Sequence, residues 1–594
     1  MAKRLYSADA VAAILMESES ESDSYNDLAS SSDEAQNDEN EPEQDPDEEQ
    51  ESPAESYSSS DSENQADRRR APQPAIEYKG RNGHVWSASP PVRSQTVAAN
   101  IVRQQRGLTT AANACRSIQD MFCLFISQDM VLLVVRETNR RANKVINEWN
   151  AAHNDNQREW KETDEIEMYS FIGLLLLAGV MRSGRESLDE LWSSQRGRPI
   201  FRATMSEMRF KELLRFCRFD NGVTRAERQK QDKLAAIRDL WEMFLATLCK
   251  AYKPGADLTV DEQLVASRGR CNFRQYIPTK PGKYGIKIFW VCDSKTAYPM
   301  NAEVYVGRQP GASANANNVN DLVCRLVRPW INTGRNVTMD NYFTSEQLAR
   351  DLLALKTTIV GTVRKNRTFI PQELLPSRQR EEKSSIFCFD GQITLVSYVP
   401  KKGKAVILLS SMHHDSDIDA NHDNKPDIIL HYNESKSGVD NLDHLVRMYS
   451  CRRKSNRWPM TLFFNMLDCA AVASYVTWMT KYPQWNQGKH HQRRLFLLEL
   501  GESLVEQQLQ RRLENPQAMQ HQVKAAFESL GRSVTRPPPA TLALARPPSK
   551  RQRCLLCPRS KDTKVSTNCS RCRNPCCKDH ACLTCDTCIH SVNI

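Results

Sequence analysis

Carboxylates stand at three separated places where the backbone could hold them rigidly. Leu258-Thr-Val-Asp261-Glu-Gln reads as a short strand that ends on Asp261, with the turn signal Pro254-Gly255 before it. A second apolar run ends the same way at Asn336-Val-Thr-Met-Asp340. Further on, Ser437-Gly-Val-Asp440-Asn-Leu-Asp443 sets two aspartates three residues apart, on one face of a helix. Hard cations take oxygen ligands, and two of them about 3.5–4 Å apart clamp the attacking and leaving oxygens of a phosphodiester. Carboxylates delivered from two strand ends and a helix suit that chemistry. Glu262 follows Asp261 directly, so on a strand it points to the opposite face and is not counted as a ligand. Any one of these aspartates taken alone is equally a cap or turn residue.

A second pattern lies near the C-terminus. Nine of the 19 cysteines crowd between Cys554 and Cys588. The ligands pair as Cys554-x2-Cys557, Cys569-x2-Cys572, Cys577-x2-His580 and Cys585-x2-Cys588. Four pairs supply two closed tetrahedral Zn²⁺ sites. So short a segment cannot build a large core, and metal binding would drive its folding. Spacing leaves both cross-braced and sequential pairing open. Cys576 and Cys582 are surplus and could serve as alternative ligands. A lone well-spaced histidine in sixth place departs from RING and PHD modules, which weakens a ubiquitin-ligase or histone-reader reading.

Charge is unevenly spread. The whole chain carries +9, and 20 acidic residues with no lysine or arginine lie between Glu17 and Asp67, so the remainder carries +29. A body that basic points to nucleic acid, against the plainer reading of a well-solvated surface. No signal peptide opens the chain, so the scattered cysteines read as core thiols of a reducing compartment. Phe171–Met181, the longest apolar run, is too short for a membrane span and reads as a buried helix. No membrane partner is expected.

Several motifs follow one another in order: Asp261-Glu-Gln, Tyr276-Ile-Pro-Thr-Lys-Pro-Gly-Lys-Tyr-Gly-Ile-Lys287, Asp340-Asn-Tyr-Phe-Thr-Ser345, Gly438-Val-Asp440-Asn-Leu-Asp443 and Arg457-Trp-Pro459. This ordered set resembles the piggyBac-type DNA transposases over roughly residues 80 to 590. The resemblance implies a multidomain α/β protein with a ribonuclease H-like catalytic core, and a cross-braced zinc finger in which pairs one and three share one metal and pairs two and four the other. It implies two Mg²⁺ held by Asp261, Asp340 and Asp440, with Asp443 as a further ligand or an orienting group. It further implies cut-and-paste transposition of double-stranded DNA: the terminal repeats are nicked, hairpins form and reopen, and the ends are joined at TTAA. A homodimer in the nucleus is expected. The rival function is a domesticated, non-catalytic DNA-binding or chromatin protein, which loss of an aspartate would have favoured. A zinc-finger adaptor would leave the central motifs unexplained.

The elements that must position these residues divide as follows. Residues 1–80 are an acidic segment unable to bury a core, whose serines beside acids suit an acidophilic kinase. It competes with DNA for the basic body or merely solubilises. Residues 81–110, with Arg93, Arg103 and Arg106, form a basic arm or a linker. Residues 111–256 are helical, and with 451–530 make the dimerisation and DNA-binding domain the resemblance implies. Residues 257–366 and 427–450 form the catalytic domain, with Ile428–Tyr432 a strand leading back to Asp440. Residues 367–426 are an inserted β-rich subdomain, whose His/Asp loop from His413 to Asp423 is solvated or binds metal. Lys287, Arg452, Arg453, Lys454, Arg457 and Trp458 are candidate DNA contacts, with Trp458 either a stacking wedge or a core residue. Residues 531–553 are a Pro-rich linker turning basic at Lys550-Arg-Gln-Arg553, which resembles a nuclear import signal, and 554–594 hold the zinc ligands.

Overall fold

The computed structural model describes residues 76–91, 102, 104–155, 157–278, 280–307, 318–534, 552–558, 560–561, 563–568, 574–582 and 584–585. The expectations for the acidic segment up to residue 75, for Arg93 and Arg103, and for the linker 535–551 lie outside them. The chain divides into two units, Met1–Arg532 and Ser533–Ile594.

The first unit is a mixed α/β fold around an eleven-stranded sheet. Its strands are β1 (Glu77–Lys79), β2 (Val85–Ser87), β3 (Asp257–Ala266), β4 (Gln275–Tyr276), β5 (Tyr284–Asp293), β6 (Pro299–Val304), β7 (Asn336–Met339), β8 (Thr358–Thr362), β9 (Ser385–Asp390), β10 (Ile393–Lys401) and β11 (Lys404–Ser410). They lie in the order β1-β2-β9-β10-β11-β8-β7-β3-β5-β4, with β6 also paired to β5. β3, β5 and β6 run antiparallel in succession. β7 runs parallel to β3, and β8 parallel to β7. β5 lies near one end of the sheet, and its Ile286, Ile288, Trp290 and Val291 are all fully buried, as a strand covered on both faces requires.

Helices cover and flank this sheet. α1 (Gln128–Ala152), α2 (Glu165–Val180), α3 (Glu207–Phe216) and α4 (Arg238–Ala251) precede β3. α5 (Val319–Val327) and α6 (Glu346–Ala354) flank β7, and α7 (Asp427–Ser435), α8 (Gly438–Met448), α9 (Trp458–Lys481) and α10 (Gln492–Leu513) follow the sheet. Asp164 caps α2 by accepting the Glu167 amide at 2.8 Å. α2 is apolar all round and buried all round. It packs on α10 so closely that a Cβ at Gly173 would lie 2.9 Å from the Gly501 carbonyl oxygen. α9 is long and apolar enough to cross a membrane by length and composition, and its apolar window is wholly buried inside the protein.

Four expectations are corrected or made more specific. First, Ile428–Tyr432 is part of helix α7, not a strand. Pro426 precedes its first turn, and Ile428, Ile429 and Tyr432 share the face that packs on Val360, Val396, Tyr398 and Leu408. A short apolar run fits either period, and here the helical one wins. Second, the inserted β-rich stretch from 367 to 426 adds its strands to the central sheet. β11 pairs antiparallel with β8, so the three strands extend the central sheet past its parallel edge. Third, the described start of the 81–110 stretch, expected as an arm or a linker, is tied to the sheet: β1 and β2 form a hairpin that adds to β9. Trp86 is fully buried there and donates to the Phe369 carbonyl at 2.9 Å. Arg106 turns inward to Tyr252 and Asp293. Fourth, β3 does not stop at Asp261 but continues to Ala266.

Candidate active site

Asp261 and Asp340 are brought level by strand register. Val260 pairs with Met339 across the parallel β3–β7 ladder, so the next residues on each chain are the two aspartates. α8 lies against β3 and carries Asp440 and Asp443. It approaches through Gly438, where a Cβ would stand 2.6 Å from the Thr259 hydroxyl. Thr259 is itself pinned, with its hydroxyl 2.9 Å from Ser294 Oγ and 2.6 Å from the Ser435 carbonyl.

Each carboxylate is held differently. Asp261 Oδ1 accepts the Glu262 amide at 2.7 Å, and Asp340 Oδ1 accepts the Tyr342 amide at 2.9 Å. Asp440 is exposed and lies 3.8 Å from the Lys280 ammonium. Asp443 Oδ1 accepts from Gln263 Nε2 at 3.0 Å, while its Oδ2 lies 3.2 Å from Arg447 Nε. Burial pushes the Asp261 carboxyl up to about 7, against the pull of the Glu262 amide and with the charges of Asp340, Glu262 and Asp440 adding to the rise. Burial likewise raises Asp340, and the Glu262 charge adds to it. Asp261 therefore feels the charges of Asp340 and Asp440. Carboxylate oxygens gathered around the buried Asp261 are a donor set that hard divalent cations fit. The aspartates do not form a cluster of three with all ligand atoms within 4.8 Å of one another. Among the described residues two groups do: Cys554, Cys557, Cys577 and His580, and His84, Glu346 and Asp390. The second group is bridged by Arg350, which pairs with both its carboxylates.

Beside Asp443 opens a cleft of about 790 Å³, lined by Lys280, Arg447, Arg452 and Lys454 among others. Arg452 and Lys454, two of the candidate DNA contacts, thus line this cleft. Arg453 and Arg457 do not. Arg453 is 7% exposed and donates to the Ser183 and Glu186 carbonyls. Arg457 donates to the Leu214, Arg215 and Cys217 carbonyls at the end of α3. Trp458 is half-buried, edge-on to Phe273 with ring centres 5.0 Å apart. Lys287 lies under Glu262 at 3.4 Å, with its ammonium 4.7 Å from the Tyr342 ring centre.

With this geometry in hand, comparison with known proteins is decisive. The Transposase IS4 family matches residues 117–475. A piggyBac transposase in a synaptic complex with hairpin DNA, solved by cryo-electron microscopy, is 34% identical. The match covers 82% of this chain and 100% of that one, with a TM-score of 0.66. The chain belongs to the piggyBac transposase family. Human PiggyBac transposable element-derived protein 3 is 23% identical over 325 residues, 51% of this chain and 53% of that protein. The chain thus spans about half the length of that curated relative.

The second unit shows its own cluster. His580 Nδ1 lies 3.8, 3.6 and 3.1 Å from the sulfurs of Cys554, Cys557 and Cys577, and the Cys557 and Cys577 sulfurs are 3.7 Å apart. These spacings suit four ligands around one tetrahedral ion. Pairs one and three therefore come together. Cys569, Cys572 and Cys588 lie outside the described residues, and the Cys585 side chain is likewise undescribed. Cys576 is buried and donates to the Asn574 carbonyl, away from the four.

Three residues near the aspartates were not singled out from sequence. Gln263 was readable, since period two puts it on the Asp261 face. Lys280 lay inside a recognised motif without a role. Tyr432, whose hydroxyl feels the charges of Asp340, Asp261 and Asp440, was hidden by the wrong period for its segment.

Proposed function

We propose that this chain is an active DNA transposase that cuts and rejoins phosphodiesters at a ribonuclease H-like site. The observation that carries the proposal is the placement of Asp261 and Asp340 level with one another on β3 and at the end of β7, with α8 and its Asp440 lying against β3. The antiparallel run β6-β5-β3 followed by β7 and β8 parallel to it supports the ribonuclease H-like reading. Asp261, Asp340 and Asp440 would hold two Mg²⁺, which when bound supply a polarised nucleophile and a counter-charge for the leaving 3′-oxygen. Asp443 orients the site from its fixed position. Arg452 and Lys454 hold the DNA backbone in the cleft. No protein nucleophile is required.

The family relationship supports the finer steps. The terminal repeats are nicked, the freed 3′-hydroxyl attacks the opposite strand to form a hairpin, and the reopened end joins a TTAA target. A homodimer assembled through the helical regions would hold the ends. Cys554, Cys557, Cys577 and His580 would bind one structural Zn²⁺, and Cys569, Cys572, Cys585 and Cys588 the second. Lys550-Arg-Gln-Arg553 would direct the protein to the nucleus. The test is cleavage of a labelled duplex carrying the element's terminal repeat beside TTAA, with Mg²⁺, by wild type and Asp261→Ala. Cleavage at the TTAA boundary that the variant loses is expected. Binding without cleavage by either protein would overturn the catalytic reading in favour of a domesticated DNA-binding protein.

A further inference from the structure

We infer that Gln263 is a positioning residue that fixes the Asp443 carboxylate, and through it the metal-holding geometry of α8. The inference rests on the carboxylate-site reading above. Gln263 lies two residues beyond Asp261 on β3 and is 2% exposed. Its amide oxygen accepts from Trp290 Nε1 on β5 and from Asn465 Nδ2 on α9, both at 3.0 Å. Trp290 is fully buried and Asn465 is 4% exposed. An indole N–H only donates, so it dictates which end of the Gln263 amide faces it. The amide nitrogen is thereby turned toward Asp443, to which it donates at 3.0 Å.

Four elements meet in this one amide: β3, β5, α8 and α9. Three buried polar groups satisfy one another there with fixed polarity, an arrangement that tolerates no flip without leaving the indole N–H unpaired. Asp443 is left with each oxygen facing a protein donor, Gln263 on one side and Arg447 on the other. Asp261 and Asp340 instead have one oxygen tied by backbone. The network thus separates a carboxylate that is gripped from carboxylates that keep an oxygen for a ligand. Groups that grip in this way commonly change metal affinity by about 10–100-fold when removed.

The experiment is Mn²⁺ titration of the full, zinc-loaded chain, read by the electron paramagnetic resonance signal of free Mn²⁺. Metal-free binding to a terminal-repeat duplex and thermal melting are read in parallel. Gln263→Glu, which keeps the shape but loses the donor, should weaken Mn²⁺ binding by about 10–100-fold and leave duplex affinity unchanged. Trp290→Phe, which removes the pin while keeping an aromatic ring, should weaken it several-fold. If Gln263→Glu fails to fold, Trp290→Phe decides: wild-type Mn²⁺ affinity in that variant overturns the inference. Wild-type affinity in a folded Gln263→Glu overturns it directly. A parallel loss of duplex affinity in either variant also overturns it, because the role would then be general to the fold. Asp261→Ala separates the two levels. If that variant binds Mn²⁺ normally, the carboxylate site itself is wrong, whereas if it alone loses binding, only the role of Gln263 falls.

Discussion

Asp261→Asn should stabilise the Mg²⁺-free protein at pH 8 while abolishing cleavage. The asparagine oxygen can still accept the Glu262 amide, but it adds no charge to the crowd of Asp340, Glu262 and Asp440. Burial lifts the wild-type carboxyl from an ordinary 3.8 to about 7. Between about pH 4 and pH 7 the folded chain therefore keeps a proton that the unfolded chain has released. Stability falls as pH rises through that window, and the penalty is complete above about 7. At ~1.4 kcal/mol per unit, a rise of roughly three units costs ~4 kcal/mol, and relaxation with residual solvation trims this to about 2–4 kcal/mol. For a fold of this size the unfolding entropy is on the order of 1 kcal/mol/K, so the melting midpoint should rise by about 2–4 °C. Scanning calorimetry at pH 8 and at pH 4 reads both arms. The variant should melt higher at pH 8 and nearly together with wild type at pH 4. Adding Mg²⁺ at pH 8 should lift wild type and leave the variant unmoved. Equal midpoints at pH 8, or an advantage that persists at pH 4, would refute the view that buried charge crowding shapes this site.

Arg457→Ala should cost about 2–4 kcal/mol of stability by stripping the carbonyls at the end of α3, and a melting curve shows it. Lys454→Ala should leave melting unchanged while lowering the salt dependence of duplex binding by about one unit of log–log slope. Cys577→Ser should lose one zinc per chain, counted by elemental mass spectrometry, because that sulfur lies 3.1 Å from His580 Nδ1. Gly438→Ala should drive a methyl into Thr259, costing about 1–3 kcal/mol. Displacing α8 should slow cleavage by on the order of 100-fold, and a wild-type rate in the duplex assay would count against the close approach as the site's support.

What was legible in the sequence follows from periodicity and its limits. The strands around Asp261 and Asp340 and the helix around Asp440 were readable because each run has one dominant period. Ile428–Tyr432 was not, since five apolar-rich residues fit a strand as well as a helix until Pro426 and the face toward Val360 and Leu408 decide. The hairpin at β1 and β2 was masked by a basic, loop-like composition, although Trp86 anchors it in the core. Which strands join which sheet was never in the sequence pattern: β11 reaches β8 across a long connection, and alternation says nothing about that partner. Gln263 was within reach of the same period-two argument that set Glu262 aside.

The basic residues teach a different lesson, because charge and contact come apart. The body's excess of lysine and arginine suggested a DNA-facing surface, yet many of these side chains turn inward. Arg453 and Arg457 cap backbone carbonyls, as do Arg335 on Gly255 and Pro254, Arg512 on Ala203 and Arg202, and Arg493 on Leu445. A guanidinium bonded to a carbonyl satisfies the oxygen without losing its charge, whereas one paired with a carboxylate is neutralised. These arginines therefore hold helices and, at Arg335, the start of β7 in place, and still contribute to the positive field that draws a polyanion. A basic residue here need not touch a polyanion to favour its approach, so substituting a buried arginine should change association rate and fold together. Substituting Lys454, which is exposed at the cleft, should change binding alone.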